Sequence, residues 1–362
     1  MMAAREGAVL WFNNVLPALL PFMIGTNVLL RLGVVDFFGV ILEPVMKPLF
    51  GVSGRGAFAL AMGATSGYPI GAQVCASLRE DGKISQTETQ RLLSFVNNSG
   101  PLFMIGAVGA GMFGNERIGY FILVSSLSGA LLTGLLFKFY RWRPEKGTAG
   151  KSKLYYQEHN SMSRLRERKP LGTVISESVH KSLESLLMIA GFIILFSVTL
   201  KILEIIGFID MIAGLLHNVG VPGGEALIGA AIYGFFEITN GASRLAALGA
   251  SRSVIILCAA LVSFGGMSIF AQSIAFLSKT DTKPFVFFFS KLLNAGFTAL
   301  VGFLIYPLWN FEVLYHETAP VFAARPVDRL VFSTVVCVMM LITVLISVFA
   351  VNIRHYVKSR WR

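Results

Sequence analysis

The sequence predicts an all-α polytopic membrane protein with inverted structural repeats, broken or re-entrant helices and one C-terminal transmembrane helix. First, 54% of the 362 residues are hydrophobic, only 14% are charged, and the mean hydropathy is +0.68, so the chain lacks the charged surface of a water-soluble protein. Second, short motifs recur in the same order roughly 170 residues apart. Internal duplication around interrupted hydrophobic helices is typical of secondary transporters.

The basic residues predict the orientation of the two copies. They gather between Lys138 and Lys181 and again from Arg354 to the C-terminus, beside apolar segments, and the positive-inside rule places both groups in the cytoplasm. The chain between them then crosses the membrane an even number of times, which leaves an odd number for the second copy once the final span is removed. When a unit with an odd number of crossings is followed by a copy of itself, the two copies lie in the membrane with opposite orientations.

The predicted elements follow from this duplication. The divisions are membrane repeat one (1–140), a basic cytoplasmic linker (141–172), membrane repeat two (173–310), an extracytoplasmic loop (311–326), a C-terminal transmembrane helix (327–352) and a basic cytoplasmic tail (353–362). Longer apolar spans, each with one or two interruptions, are predicted at 8–32, 117–139, 183–206 and 285–309. Shorter apolar segments at 57–72, 91–113, 226–243 and 253–278 are interrupted near their middles. The first span lacks a signal-peptide cleavage pattern, so we expect it to stay in the membrane.

The interruptions predict half-helices that begin inside the membrane. At 65–71 we expect a helix to stop near Thr65 or Ser66 and a second half-helix to start with Pro69 in its first turn. Asn98 or Ser99 is predicted to cap a half-helix that runs to residue 113. In repeat two, Thr239 or Asn240 offers a cap, and the segment 263–268 interrupts the fourth apolar stretch.

These interruptions also predict a binding site for an anion. A helix N-terminus carries free N–H groups and a partial positive charge, so converging half-helix ends favour a carboxylate. Small residues such as those at 106–111 are better explained by helix packing. The residues predicted to line the site are Thr65, Ser66, Gly67, Tyr68, Pro69, Asn97, Asn98, Ser99, Gly100, Pro101, Thr239, Asn240, Gly241, Gly265, Gly266 and Ser268.

Glu237 is the most informative ionisable residue, because it ends the apolar run from Ala226 and precedes an interruption by one turn. Acidic groups within membrane segments are candidate proton relays or cation ligands. It is also compatible with a purely structural role, in a water-filled vestibule or paired with Arg244. Gln272 is a second, weaker coupling candidate. Repeat one has no carboxylate at the place that matches Glu237, so coupling would be asymmetric.

Enzyme chemistry is not predicted. The histidines are dispersed, the three cysteines lie singly in or beside apolar segments, and no metal-ligand spacing or nucleotide-binding glycine motif occurs. We therefore expect no catalytic residues, no metal and no cofactor. The expected partners are a small anionic solute and the lipid bilayer, with no nucleic acid, and the sequence leaves room for a homo-oligomer.

The motifs of repeat one carry a family resemblance. Gly-Ala-Thr-Ser-Gly-Tyr-Pro-Ile-Gly-Ala at 63–72 and Arg-Leu-Leu-Ser-Phe-Val-Asn-Asn-Ser-Gly-Pro-Leu-Phe at 91–103, with the glycines at 106–111, resemble the sporulation integral membrane protein family YlbJ, also called SpoVV. The resemblance covers most of the chain. It implies a gate domain like that of nucleoside transporters and a multi-pass protein of the outer, mother-cell-derived forespore membrane. It also implies a role in moving dipicolinic acid toward the forespore.

One departure from the family concerns the start of the chain. Related proteins tend to have an additional apolar segment upstream of the Ala-Arg-Glu-Gly run at 4–7, so the resemblance implies a shortened form or a start at a later methionine.

Together with the resemblance, the sequence predicts a sporulation transporter for a small organic anion, dipicolinate, that works by alternating access. The alternatives are a carrier of nucleosides or other small solutes, and a non-transporting membrane scaffold needed for spore maturation.

Overall fold

A computed structural model describes residues 1–31, 34–141 and 170–309 of the chain. Every regular element within these ranges is helical, and four helices are long and apolar enough to cross a membrane: Glu116–Phe137, Gly172–Ile205, Arg252–Leu277 and Pro284–Leu308. The prediction of an all-α polytopic membrane protein is therefore confirmed. Most of the predicted linker, the extracytoplasmic loop, the C-terminal helix and the basic tail lie outside the described residues.

The elements of repeat one are short helices with frequent breaks. They are α1 (Met2–Leu10), a π turn (Trp11–Val15), α2 (Leu16–Arg31), α3 (Val34–Phe50), α4 (Gly56–Ser66), α5 (Ile70–Glu80), α6 (Gln86–Val96), a π-helix (Leu102–Met112) and α7 (Glu116–Phe137).

The elements of repeat two follow in the same order. They are α8 (Leu171–Ile205), α9 (Phe208–Asn218), α10 (Glu225–Phe236), α11 (Ile238–Ala247), α12 (Arg252–Phe264), α13 (Gly266–Leu277), α14 (Pro284–Ile305) and a 3-10 turn (Tyr306–Leu308). Each repeat thus contains a first helical segment, a connecting helix, two interrupted segments and a long closing helix.

Glycine and proline set the ends of the half-helices. Helix α4 ends before Gly67, whose φ of 79° lies in the left-handed region, and α5 begins directly after Pro69. Helix α12 likewise ends at Gly265, with φ at 89°. A different kind of start occurs at α6, where Ser85 and Glu88 form a capping box.

Two pairs of half-helices double back on each other. Helices α4 and α5 pack together, as do α10 and α11. A methyl group on Gly241 would lie only 2.1 Å from Cα of Gly234, so glycine is needed where α10 and α11 cross. These hairpins correspond to the predicted re-entrant segments.

Contacts near the helix termini define two ends of the molecule. At the first, which we call the Arg79 end, Arg79 forms a two-pronged ion pair with Asp281, with both distances 2.8 Å. At the other, the Arg252 end, Arg252 donates to the carbonyl of Phe303 over 3.1 Å. The indole of Trp309 also donates to the carbonyl of Arg117 there, over 3.1 Å.

The closing helices α7 and α14 form the main contact between the repeats. They run antiparallel, since the start of α7 and the end of α14 share the Arg252 end. Their other contacts occur in matched pairs: α6 packs on α14 while α12 packs on α7, and α5 packs on α13 while α11 packs on the π-helix. In these pairs, an element of one predicted repeat makes a contact that corresponds to one made by an element of the other.

Candidate functional site

The two interruptions of repeat one are in direct backbone contact. The amide of Tyr68 donates to the carbonyl of Asn98 over 2.6 Å. A methyl group on Gly67 would lie 2.3 Å from the amide nitrogen of Gly100, so the two chain segments touch without room for a side chain. The predicted site residues at 65–69 and 97–101 are therefore brought together.

The interruptions of repeat two lie beside the same contact between residues 65–69 and 97–101. A methyl group on Gly266 would lie 3.2 Å from the carbonyl oxygen of Phe236 and 3.3 Å from the amide of Ile238, so the start of α13 contacts the break between α10 and α11. One on Gly265 would lie 3.3 Å from the ring of Tyr68, which joins the breaks of the two repeats. All four predicted interruptions thus converge.

A buried lysine lies at this convergence. The Lys291 side chain is 2% exposed, and its Nζ donates to the carbonyl of Asn97 over 2.7 Å and to Oδ1 of Asn98 over 3.3 Å. The side-chain amide of Asn294, which is fully buried, donates to the same Oδ1 over 2.7 Å. Repeat two thereby holds the second interruption of repeat one through a charge and an amide.

Hydroxyl groups extend this network across the contact between α7 and α14. Ser263 Oγ accepts a hydrogen bond from Thr298 over 2.8 Å and lies 2.6 Å from the hydroxyl of Ser126. Lys291, Asn294 and Thr298 share one face of α14, because residues three and four apart lie on the same side of a helix. We call Asn97, Asn98, Ser126, Ser263, Lys291, Asn294 and Thr298 the central cluster.

Two of the half-helix N-termini are occupied by the protein's own oxygen atoms. Oδ1 of Asn97 accepts from the amide of Ala72 in the first turn of α5, over 3.3 Å. The Glu237 carboxylate accepts from the amides of Thr239 and Asn240 over 2.9 and 2.8 Å, at the start of α11. These N–H groups are therefore already satisfied, and helix ends alone do not explain an anion site.

The predicted caps are wrong in both repeats. Glu237 caps α11, in place of Thr239 or Asn240, because its longer side chain reaches both amides. The π-helix starts after Pro101 and ends at Met112, and no side chain caps its start. Asn98 does not cap it because its side chain bonds Phe95, Lys291 and Asn294 instead. The proposed pairing of Glu237 with Arg244 is also absent from the described residues, where Arg244 bonds Glu204 over 3.5 Å.

The other predicted site residues differ in how close they lie to the convergence and in how exposed they are. Ser99, Gly100, Ser268 and Gln272 are near the convergence, and Gln272 donates to the hydroxyl of Ser268 over 3.2 Å. The hydroxyl of Thr65 bonds back to Ala61 within its own helix. Asn240 is exposed, and Gly241 serves the crossing of α10 and α11.

Several polar atoms near the convergence are buried without a hydrogen-bond partner in the described part of the chain. They are Oγ of Ser66, the hydroxyl of Tyr68, Oγ of Ser99 and Oδ1 of Asn294. The hydroxyls of Tyr68 and Ser99 lie close enough to interact with each other. Buried polar atoms in native structures pair with protein groups, water or a ligand, so these atoms are candidate contacts for a bound molecule.

Sequence reasoning missed Lys291, Asn294, Thr298, Ser263 and Ser126. A usable indication was present, because Lys291 is a charge within the apolar span 285–309, and charged residues inside membrane segments are functional candidates. Its spacing from Asn294 and Thr298 places all three on one helix face.

These features define a polytopic membrane protein whose broken helices meet at a buried polar centre. Residues 12–116 match the Gate family model, described as "Nucleoside recognition". The chain is 36% identical over 320 residues to the sporulation integral membrane protein YlbJ of Bacillus subtilis (strain 168). This alignment covers 85% of the present chain and 78% of YlbJ. No solved structure matches. The chain belongs to the YlbJ family of sporulation integral membrane proteins.

Proposed function

We propose that this protein transports a small organic anion, dipicolinate, across the outer forespore membrane by alternating access. The observation that carries the proposal is the convergence of four chain interruptions, from both repeats, on a buried polar cluster whose only ionisable member is the basic side chain of Lys291. Among the side chains that the structure describes, no Asp or Glu is buried. The centre therefore favours a negatively charged solute.

The inverted relation of the repeats is part of this proposal. Helix α5 ends at the Arg79 end, and Lys181 near the start of α8 bonds Ser77 there over 3.2 Å. Helix α8 then runs to Glu204, which pairs with Arg244 in the last turn of α11. The two hairpins thus open toward opposite ends. That arrangement supports oppositely oriented repeats, which alternate exposure of a shared site in many transporters.

Glu237 is the proposed coupling residue. Its carboxylate accepts three hydrogen bonds at the start of α11, from Thr239 and from the backbone and side chain of Asn240. Protonation would weaken this cap, because a neutral carboxyl group is a poorer acceptor. A proton would thereby loosen the break between α10 and α11, and Gln272, which bonds Ser268 on α13, is the second proposed coupling residue.

A nucleoside carrier is the second candidate. The Gate model's description names nucleoside recognition, and the amides of Asn98 and Asn294 suit the hydrogen-bonding edges of a neutral base. This candidate leaves the buried ammonium of Lys291 without a counter-charge, so we rank it below the anion.

Uptake into liposomes that contain the purified protein separates these functions. The substrates are labelled dipicolinate, uridine and succinate, and the matched variant is Asn98→Ala. We expect uptake of dipicolinate, and at least a tenfold loss in the variant. Uptake of uridine alone would establish the second candidate, and uptake of none would favour a scaffold. Imaging a fluorescent fusion in sporulating cells tests the membrane assignment.

A further inference from the structure

We propose that Lys291, Asn98 and Asn294 form the subsite that binds a carboxylate group of the transported solute, an inference that rests on the proposed function. Lys291 and Asn294 lie outside the repeat-one motifs quoted above, and both come from repeat two, outside the Gate match. The subsite is built at the contact between the repeats, where α14 meets the second interruption of repeat one.

The hydrogen bonds of Lys291 leave it able to bind an anion. An ammonium group has three donors, and two of them go to the carbonyl of Asn97 and to Oδ1 of Asn98. No carboxylate forms an ion pair with Lys291 among the described residues. A buried ammonium costs several kcal/mol in desolvation unless an opposite charge compensates for it. A solute carboxylate supplies both the missing acceptor and the missing charge.

The neighbouring amides and hydroxyls complete the subsite. Oδ1 of Asn294 is buried without a partner, while Nδ2 is held by Asn98. Rotation of either amide directs N–H groups toward a carboxylate, because an Asn side chain carries two donors. The unpartnered hydroxyls of Tyr68 and Ser99 are donors for a second carboxylate. A small dianion fits this donor set better than a neutral solute.

The same geometry ties binding to movement of the repeats. Lys291 is 2% exposed and belongs to repeat two, whereas Asn98 belongs to repeat one. An anion therefore reaches the ammonium only when the two repeats move apart. Once bound, the anion accepts from the remaining donor of Lys291, between the two repeats. A purely structural lysine would hold the repeats but would not select solutes by charge.

Charge selectivity is the readout that separates these roles. The variant is Lys291→Gln, and the matched control is Lys283→Gln, which removes the same charge from an exposed position just before the same helix. The probes are pyridine-2,6-dicarboxylate, pyridine-2-carboxylate and the uncharged pyridine-2,6-dicarboxamide. Binding to the detergent-purified protein is measured by calorimetry, and uptake is measured in liposomes.

We expect Lys291→Gln to weaken binding of the dicarboxylate by about 10- to 100-fold, the range for a lost hydrogen bond to a charged group. Binding of the dicarboxamide should be unchanged or tighter, and Lys283→Gln should resemble the wild type. Lys291→Arg should restore part of the affinity for the dicarboxylate.

Equal dicarboxylate binding by Lys291→Gln and the wild type would overturn the subsite, and so would equal losses for the charged and uncharged probes. If Lys291→Gln does not fold, Asn294→Asp replaces it. That change adds a negative charge beside Lys291 at constant size, and unaltered dicarboxylate affinity would again contradict the subsite. Failure of the wild type to take up any probe would reject the proposed function instead, and the calorimetry would still decide whether the subsite exists.

Discussion

The contact between α7 and α14 allows a quantitative prediction for Gly129→Ala. A methyl group at Gly129 would lie 2.3 Å from Oγ1, 2.7 Å from the backbone nitrogen and 2.9 Å from Cα of Thr298. Ordinary contacts begin near 3.4 Å, so the two helices must separate by about 0.7 Å. Backbone atoms cannot rotate away as a flexible side chain would.

The cost follows from overpacking and from one lost hydrogen bond. Forcing an extra methyl group into a packed core costs about 1–3 kcal/mol. The methyl group would also displace Oγ1 of Thr298, and loss of its 2.8 Å hydrogen bond to Ser263 on α12 adds about 1 kcal/mol. We expect Gly129→Ala to lower the free energy of unfolding by about 2–4 kcal/mol.

The matched control is Gly296→Ala on α14. No atom lies within 4 Å of a methyl group at Gly296, and alanine is a better helix former than glycine, so this variant should be neutral or stabilised by up to about 1 kcal/mol. The free energy of unfolding of both variants is measured by adding sodium dodecyl sulfate in mixed micelles and monitoring tryptophan fluorescence. Equal stabilities of the two would refute the close approach of α7 and α14.

Three further predictions concern the Arg79 end and the half-helix caps. Asp281→Asn should lower stability by about 0.5–1 kcal/mol at pH 7, because the ion pair with Arg79 is partly exposed. The hydrogen bond from Arg79 lowers the pKa of Asp281, so in thermal melts this difference should persist above about pH 4 and vanish as the pH falls further. Glu237→Gln should weaken the α11 cap by about 1 kcal/mol and flatten the pH dependence of uptake, and an unchanged pH profile would contradict coupling. Asn97→Ala should cost about 1–3 kcal/mol in detergent unfolding, because the amide of Ala72 loses its partner, and wild-type stability would contradict this cap.

Local backbone chemistry explains which parts of the site were predictable. Gly67 and Pro69 cannot continue a helix, so the end of α4 at Ser66 follows from the sequence. The second half-helix begins one residue later than predicted, at Ile70, because Pro69 is its N-cap residue and not part of its first turn. Gly265 ends α12 in the same way as Gly67 ends α4. The interruptions were therefore located correctly, since each depends on a few adjacent residues.

Long-range partners explain what the sequence did not reveal. Lys291 is a single charge in an apolar span, and its partner Asn98 is 193 residues away in the chain. The cap assigned to Asn98 was wrong because its side chain is taken by partners on α14 that no local pattern identifies. Glu237 was recognised as important, but its role as a cap depends on the extended backbone at the start of α11.

The structure changes the reason for expecting an anion. Helix ends were predicted to attract it, yet Asn97 and Glu237 already satisfy the first turns of α5 and α11. The positive charge instead comes from Lys291, and both charged groups, Lys291 and Glu237, belong to repeat two. Repeat one supplies amides and hydroxyls. In the proposed mechanism, both charged groups lie in the predicted second repeat, so the two predicted repeats would not be energetically equivalent when a solute or a proton binds. Neutralising Lys291 should therefore alter solute selectivity, whereas neutralising Glu237 should alter the pH dependence of uptake.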